Sequence, residues 1–199
     1  MPISNEIKAF TFYLVIALLL LALAPYSPEI SQRWAFVPSL SDEYWRWFSA
    51  HFSHDSWTHW WTNFAAYVCF LLVFFRRLSW REIAALSIVL LLANALYLSV
   101  WYARDFYLGF SGLLFGWFIY ASLRTLAEQT VLSVCILLYL TGKMVFAAVW
   151  PEQINPIEGL AVATEIHVLN SAIALCAFLS AGFVRHFRHS ENDADKDTA

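Results

Sequence analysis

Residues 109–123 read Gly-Phe-Ser-Gly-Leu-Leu-Phe-Gly-Trp-Phe-Ile-Tyr-Ala-Ser-Leu, an apolar run that opens with a serine between two glycines. His167 stands at the start of another apolar run further along the chain. Serine is a weak nucleophile until an adjacent base activates it, and histidine is the side chain most often used as that base. If the two runs lie side by side in a membrane, Ser111 and His167 form a candidate catalytic pair.

The composition is that of a membrane protein. Of the 199 residues, 60% are hydrophobic and 14% are charged, whereas a soluble domain carries about 25% charged residues. A helix that spans a bilayer needs about 20 mainly apolar residues, and several such runs occur. Cys69, Cys135 and Cys176 lie within apolar runs, and their odd number excludes complete pairing. We therefore expect a polytopic all-α domain without a disulfide framework.

The hydropathy pattern predicts six membrane-spanning helices. Their approximate limits are 8–24, 57–75, 82–102, 110–123, 130–150 and 162–184. The first is interpreted as a retained helix, because it lacks the strong basic region and cleavage site of a signal peptide. The fourth is too short to cross unless it continues toward Glu128 or begins in a protein-lined cavity. The membrane domain is predicted to cover 1–189, and the acidic residues 190–199 to form a disordered tail.

The placement of Lys and Arg predicts the orientation, because cytoplasmic loops carry an excess of them. If both termini are cytoplasmic, the inner side carries Lys8, Arg76, Arg77, Arg81, Arg124, Arg185 and Arg188. The outer side then carries Arg33, Arg46 and Arg104. This orientation places Ser111 and His167 near the outer leaflet. The long first connection, residues 25–56, is rich in aromatic side chains and is predicted to lie partly in the outer interface.

Further candidate residues stand at the start of the second predicted helix. His59 and Asn63 are four residues apart, so they share one helix face and can both donate hydrogen bonds to a developing oxyanion. A zinc site that uses His54, Asp55 and His59 is the alternative. We consider it the weaker one, because two histidines five residues apart lie on different faces of a helix.

Each motif also has a purely structural interpretation. Gly109 and Gly112 remove side chains beside Ser111, which allows either a substrate or a neighbouring helix to approach closely. His167 alone is equally consistent with a hydrogen bond between helices. Lys143, within the fifth predicted helix, is expected to extend toward the interface or to pair with Glu152 or Glu158.

In combination, these residues resemble the rhomboid family of intramembrane serine proteases. The matching features, in the family's order and spacing, are Tyr44-Trp45-Arg46, the pattern of His54, His59 and Asn63, the motif Gly109-Phe110-Ser111-Gly112, and His167. The resemblance implies a six-helix bundle in which Ser111 is the nucleophile and His167 the base. It further implies that His59 and Asn63 hold the oxyanion, and that His54, Trp45 and Arg46 are structural supports. One departure is that residues 168–174, directly after His167, contain no glycine, which makes close packing of the last helix less secure.

The compact form and the sequence Thr164-Glu165-Ile166-His167 are similar to the rhombosortase branch of that family. The similarity implies transmembrane substrates that end in Gly-Gly, an apolar helix and a basic cluster, and location in a bacterial inner membrane. Glu165, on another helix face than His167, is either an interfacial residue or a contact for substrate. No cofactor, metal or nucleic acid is expected. The alternatives are a general rhomboid protease and an inactive relative that binds membrane proteins; a transporter is disfavoured because no internal repeat is found.

Overall fold

The computed structural model describes residues 4–40, 42–102, 105–150 and 163–196, with side chains up to Gly182. Its helices are α1 (Asn5–Ala22), α2 (Pro28–Trp34), α3 (Arg46–Ser49), α4 (Trp57–Phe74), α5 (Trp80–Val100), α6 (Ser111–Arg124), α7 (Thr130–Val149) and α8 (Thr164–Lys196), with a 3₁₀ turn at Pro38–Leu40. The first five predicted helices agree with α1, α4, α5, α6 and α7 to within three residues at each end. The sixth corresponds to α8.

Among the described residues, four helices are long and apolar enough to cross a membrane: α1, α5, α7 and the part Thr164–Gly182 of α8. Helix α4 begins with several polar residues, including His59 and Asn63. Helix α6 has 14 residues, which extend about 21 Å at 1.5 Å per residue, less than the roughly 30 Å hydrocarbon core. The chain is therefore an all-helical, multi-pass membrane protein, and a count of six spans stays a prediction.

Helix α6 forms the centre of the bundle and packs against α4, α5, α7 and α8. Most of its residues are buried, and Trp117 within it donates a hydrogen bond to Ser87 of α5 at 2.9 Å. The helix ends at Arg124 and does not continue to Glu128. Its first residue, Ser111, follows the fully buried Phe110. Since protein encloses α6, its short length leaves no backbone exposed to lipid.

Glycines of α6 allow α8 to approach closely. A Cβ atom built on Gly112 would lie 2.7 Å from Ile166 Cγ2, and one on Gly116 would lie 3.3 Å from the backbone oxygen of Asn170. Gly112 and Gly116 are one helical turn apart, as are Ile166 and Asn170. The expectation of less secure packing, drawn from the missing glycines after His167, is corrected here, because the partner helix supplies the small residues.

The first loop folds around the buried side chain of Arg46. Its Nη1 donates to the carbonyl oxygens of Gln32 and Ala35, each at 2.8 Å, and its Nε pairs with Glu43. Trp45, in contrast, is 52% exposed. An exposed Trp45 fits the expected contact with the interface, whereas Arg46 holds the loop together from within and does not point toward headgroups.

Two connections attach this loop to the segment before α6. Phe36 and Tyr107 exchange backbone hydrogen bonds of 2.9 Å in both directions, and the Gly109 N–H donates to the Ala50 carbonyl at 2.8 Å. Helix α4 starts at a serine cap, where Ser56 Oγ accepts from the His59 N–H at 3.2 Å. These contacts bring the loop, the start of α4 and the start of α6 to one end of the bundle.

The predicted boundary at Ser190 is not tested by the structure. The backbone of α8 is helical to Lys196, and residues 197–199 lie outside the described part of the chain. The division into a membrane domain, 1–189, and a tail, 190–199, stays a prediction.

Candidate active site

Ser111 and His167 are in contact where α6 packs against α8. The Ser111 Oγ lies 2.8 Å from Nε2 of His167, within hydrogen-bonding distance. Each residue stands in the first turn of its helix, and His167 is only 5% exposed. If the ring carries its proton on Nδ1, Nε2 accepts from the hydroxyl, which is the geometry that a general base requires.

Gly109 brings α4 against Ser111. Its φ of +122° lies in a region that favours glycine. A Cβ atom at this position would lie 2.9 Å from Cε1 and 3.0 Å from Nε2 of His59, and 4.0 Å from Ser111 Oγ. The imidazole of His59 and the serine hydroxyl therefore both border the space that a side chain at residue 109 would occupy.

Asn63 is buried beside His54, with its Nδ2 2.9 Å from Nε2 of His54. Burial, reinforced by the nearby His59, lowers the pKa of His54 to about 3, so this imidazole is neutral at physiological pH. A neutral His54 can accept the Asn63 bond at Nε2. One amide proton of Asn63 is thus used to fix its orientation, and the other stays available for a ligand.

His59 is paired with an acidic residue that precedes α4. Its Nδ1 lies 2.6 Å from Oδ1 of Asp55. Burial raises the pKa of Asp55, but the hydrogen bond and the electrostatic interaction with His59 lower it by more, so the pKa lies below its usual value. Asp55 is therefore ionised. Among the described residues, no three His, Cys, Asp or Glu side chains come together as metal ligands.

Tyr107 and His51 support the turn before Ser111. The Tyr107 hydroxyl lies 3.1 Å from Nδ1 of His51 and donates to the Gly109 carbonyl at 3.2 Å. Burial raises the pKa of Tyr107 and lowers that of His51 to about 3, so both groups are neutral. The sequence alone predicts no role for either residue, because their contact depends on how the first loop folds.

An aromatic ring orients His167 from the α6 side. Phe115, one turn after Ser111, stacks on the imidazole with a centroid distance of 4.2 Å and an interplanar angle of 8°. Lys143 Nζ lies 5.5 Å from the centroid of Phe115. The ammonium group thus takes part in a cation–π contact at the site. The partners expected for Lys143, Glu152 and Glu158, lie outside the described residues. Glu165 is half-buried in the first turn of α8.

The geometry assembles parts that acyl transfer needs: a hydroxyl next to a base, and donors that can surround one point. By helix geometry, the N–H groups in the first turn of α6 have no partner within the helix and carry partial positive charge. His59 and Asn63 belong to α4, which packs against α6, and both lie in the half of α4 nearest to Ser111. Preorganised donors of this kind stabilise the oxyanion that forms when serine attacks a carbonyl.

A family model of the Rhomboid domain matches residues 41–177, which is more than half of the chain. The chain belongs to the rhomboid family. No curated protein and no solved structure matches it. Rhomboid proteins act on membrane-protein substrates within the bilayer, and they are generally serine proteases, although some members are inactive. The matched range begins in the first loop and includes α4 to α7 and most of the apolar part of α8, so it contains every residue of the site described above.

Sequence reasoning about this rhomboid chain missed several residues near the site. Asp55 was considered only as a metal ligand, and Tyr107, Phe115 and Gly116 were assigned no role. Two of them leave a signal in the sequence. Gly112 and Gly116 form a Gly-x-x-x-Gly motif, which is typical of close helix contacts in membranes. Asp55 and His59 are four residues apart at a helix start, where an acidic and a basic side chain can meet.

Proposed function

We propose that this chain is an intramembrane serine endopeptidase in which Ser111 is the nucleophile and His167 the general base. The distance of 2.8 Å between Ser111 Oγ and His167 Nε2 is the observation that carries the proposal. An active member of the family needs both residues, and the chain has both in contact. This role explains why His167, an ionisable side chain, is buried in a membrane helix. Ionisable residues are rare in such helices unless they have a function.

In the proposed reaction, His167 transfers a proton in each step. As Ser111 Oγ attacks the carbonyl carbon of the scissile bond, its proton passes to Nε2 of His167. The negative charge on the carbonyl oxygen is held by His59, Asn63 and the backbone N–H of Ser111. When the C–N bond breaks, His167 returns the proton to the leaving amine. A water molecule, deprotonated by His167, then attacks the acyl carbon. The ester bond to Ser111 Oγ breaks, His167 returns the proton to that oxygen, and the acyl group leaves as a carboxylic acid.

The site is proposed to open to the outer side of a bacterial inner membrane, with both termini in the cytoplasm. The excess of Lys and Arg at the opposite ends of the helices supports this orientation. The substrate would be a transmembrane helix cleaved near its outer end. Helices unwind there most easily at glycine, which costs about 1 kcal/mol relative to alanine in a helix.

The finer proposal is that the chain is a rhombosortase that processes C-terminal tails made of Gly-Gly, an apolar helix and a basic cluster. The sequence Thr164-Glu165-Ile166-His167 supports this branch, and Glu165, half-buried in the same helical turn as His167, is a candidate contact for the substrate.

Reconstitution in lipid vesicles with matched substrates tests the proposal. One substrate carries the Gly-Gly tail, and its control carries Leu-Leu at the same positions. We expect cleavage of the Gly-Gly substrate by the wild-type chain and none by Ser111→Ala. Equal cleavage of both substrates would replace the rhombosortase assignment with a general rhomboid protease. Stable binding of folded wild-type protein to substrates without cleavage would contradict the protease and favour an inactive binding factor.

A further inference from the structure

The pairing of Asp55 with His59 limits how the imidazole can carry its protons. An ionised carboxylate only accepts hydrogen bonds, so the contact of 2.6 Å between Asp55 Oδ1 and His59 Nδ1 requires a proton on Nδ1. A neutral imidazole has a single N–H. With that proton at Nδ1, Nε2 would offer a lone pair to the site and would repel an oxyanion. His59 can serve as a donor there only if both ring nitrogens carry protons.

We propose that Asp55 is a positioning residue that holds His59 as a doubly protonated, positively charged hydrogen-bond donor beside Ser111. The proposal rests on the proposed serine-protease function and adds a residue to it. Hydrogen bonds from a charged donor are roughly twice as strong as those between neutral groups. Inside a site from which water is partly excluded, the charge also acts directly on the developing oxyanion.

The surroundings of the pair favour this charge state. Asp55 and His59 are both partly exposed, at 13% and 21% of their side-chain surface, so neither charge is fully removed from water. The ring of His54 lies 4.9 Å from that of His59, centroid to centroid. Because His54 is neutral, it does not repel a positive charge on His59.

Nitrogen-15 NMR of the full chain in detergent micelles, with histidine labelled, observes the charge state directly. The His59 signals are assigned by their loss in His59→Gln. At pH 8 we expect both ring nitrogens of His59 to be protonated in the wild type and only one in Asp55→Asn. A neutral His59 in the wild type, or identical His59 signals in both proteins, would overturn the proposal. This readout does not depend on catalysis, so it separates the proposal from failure of the proposed function.

The rate of Ser111 labelling by a fluorophosphonate probe measures the consequence for chemistry. Asp55→Asn should lower that rate about tenfold, and its decline at high pH should begin at a lower pH than in the wild type. Asp55→Glu, which keeps the carboxylate, should recover much of the rate, and Asp42→Asn, an exposed acid in the same loop, should leave it unchanged. In the His59→Gln background the Asp55 substitution should have no further effect. A rate loss of the same size in that background would show that Asp55 acts through the fold and not through His59.

Discussion

His167 is fixed by contacts of two different kinds, one on its edge and one on its face. Nε2 lies against the Ser111 hydroxyl, and the ring stacks on Phe115. In the proposed reaction the proton passes along the edge contact, and the stacking contact keeps the ring plane aligned with that path. Since both contacts come from α6, the relative position of α6 and α8 determines whether the base is aligned.

Loss of the stacking contact should slow the reaction of Ser111 without abolishing it. An aromatic pair contributes about 0.5–1.5 kcal/mol beyond its burial, which corresponds to a roughly two- to tenfold change in rate. We expect Phe115→Leu to lower the rate of fluorophosphonate labelling by that factor. Phe146→Leu, at an exposed position on α7, is the matched control and should label normally. Equal rates in the wild type and Phe115→Leu would show that stacking does not orient the base.

At the scale of elements, the contact between α6 and α8 depends on glycines that cannot be enlarged. The nearest atom to a Cβ on Gly112 is Ile166 Cγ2, which belongs to a branched side chain next to His167 and has little freedom to move. The same substitution at Gly142 on α7 meets no atom within 4 Å. The two glycines therefore form a matched pair for testing the importance of helix contact.

Gly112→Ala should destabilise the protein by roughly 1–3 kcal/mol, the usual cost of overfilling a packed contact. Gly142→Ala should be neutral or stabilise by up to about 1 kcal/mol, because alanine favours a helix more than glycine does. Thermal unfolding in detergent measures both. If the two variants unfolded at the same temperature, close packing of α6 on α8 would not contribute to stability.

The first loop is an element whose fold rests on one buried cation. Arg46→Ala removes donors from the carbonyl groups of Gln32 and Ala35, and bonds of this charged type are worth about 1.5–3 kcal/mol each. We expect the loop in this variant to become susceptible to a protease added to vesicles, while Arg33→Ala, at an exposed position in α2, stays resistant. Resistance equal to that of the wild type would show that other contacts hold the loop.

Most of the long helices could be predicted from the sequence, and the reason is physical. The backbone N–H and C=O groups of an apolar run in a membrane must pair within the run, because lipid offers no partners. Such a run therefore forms a helix. Helices α2 and α3 have no such signal, because segments of seven and four residues form only when tertiary contacts such as those of Arg46 support them. The contact of Ser111 with His167 could be predicted because family resemblance added what spacing alone left open.

In the molecule as a whole, the buried histidines lie toward one end of the bundle. His51 and His54 are buried and neutral, with their pKa values lowered to about 3 by burial. In the unfolded chain a histidine has a pKa of about 6.5. As pH falls below 6.5, unfolded histidines gain protons that the folded ones cannot accept, so acid favours unfolding. The lowered pKa of Asp55 acts in the same direction at more acidic pH.

His51, His54 and Asp55 should therefore make stability fall as pH decreases from 6.5 toward 4. Each neutral buried histidine contributes a slope of about 1.4 kcal/mol per pH unit. Unfolding of the full chain in detergent across this range measures the slope, and His51→Gln should reduce it by one histidine's share. An unchanged slope in that variant would contradict the assignment of His51 as a buried neutral group.

Ser111 is proposed to be a nucleophile that His167 activates inside the membrane. Folded protein in vesicles, treated with a fluorophosphonate probe and analysed by peptide mass spectrometry, tests this role most directly. We expect one adduct, on Ser111, that disappears in Ser111→Ala and forms far more slowly in His167→Ala. Labelling of the wild type at another residue, or no labelling of protein shown to be folded, would contradict the account.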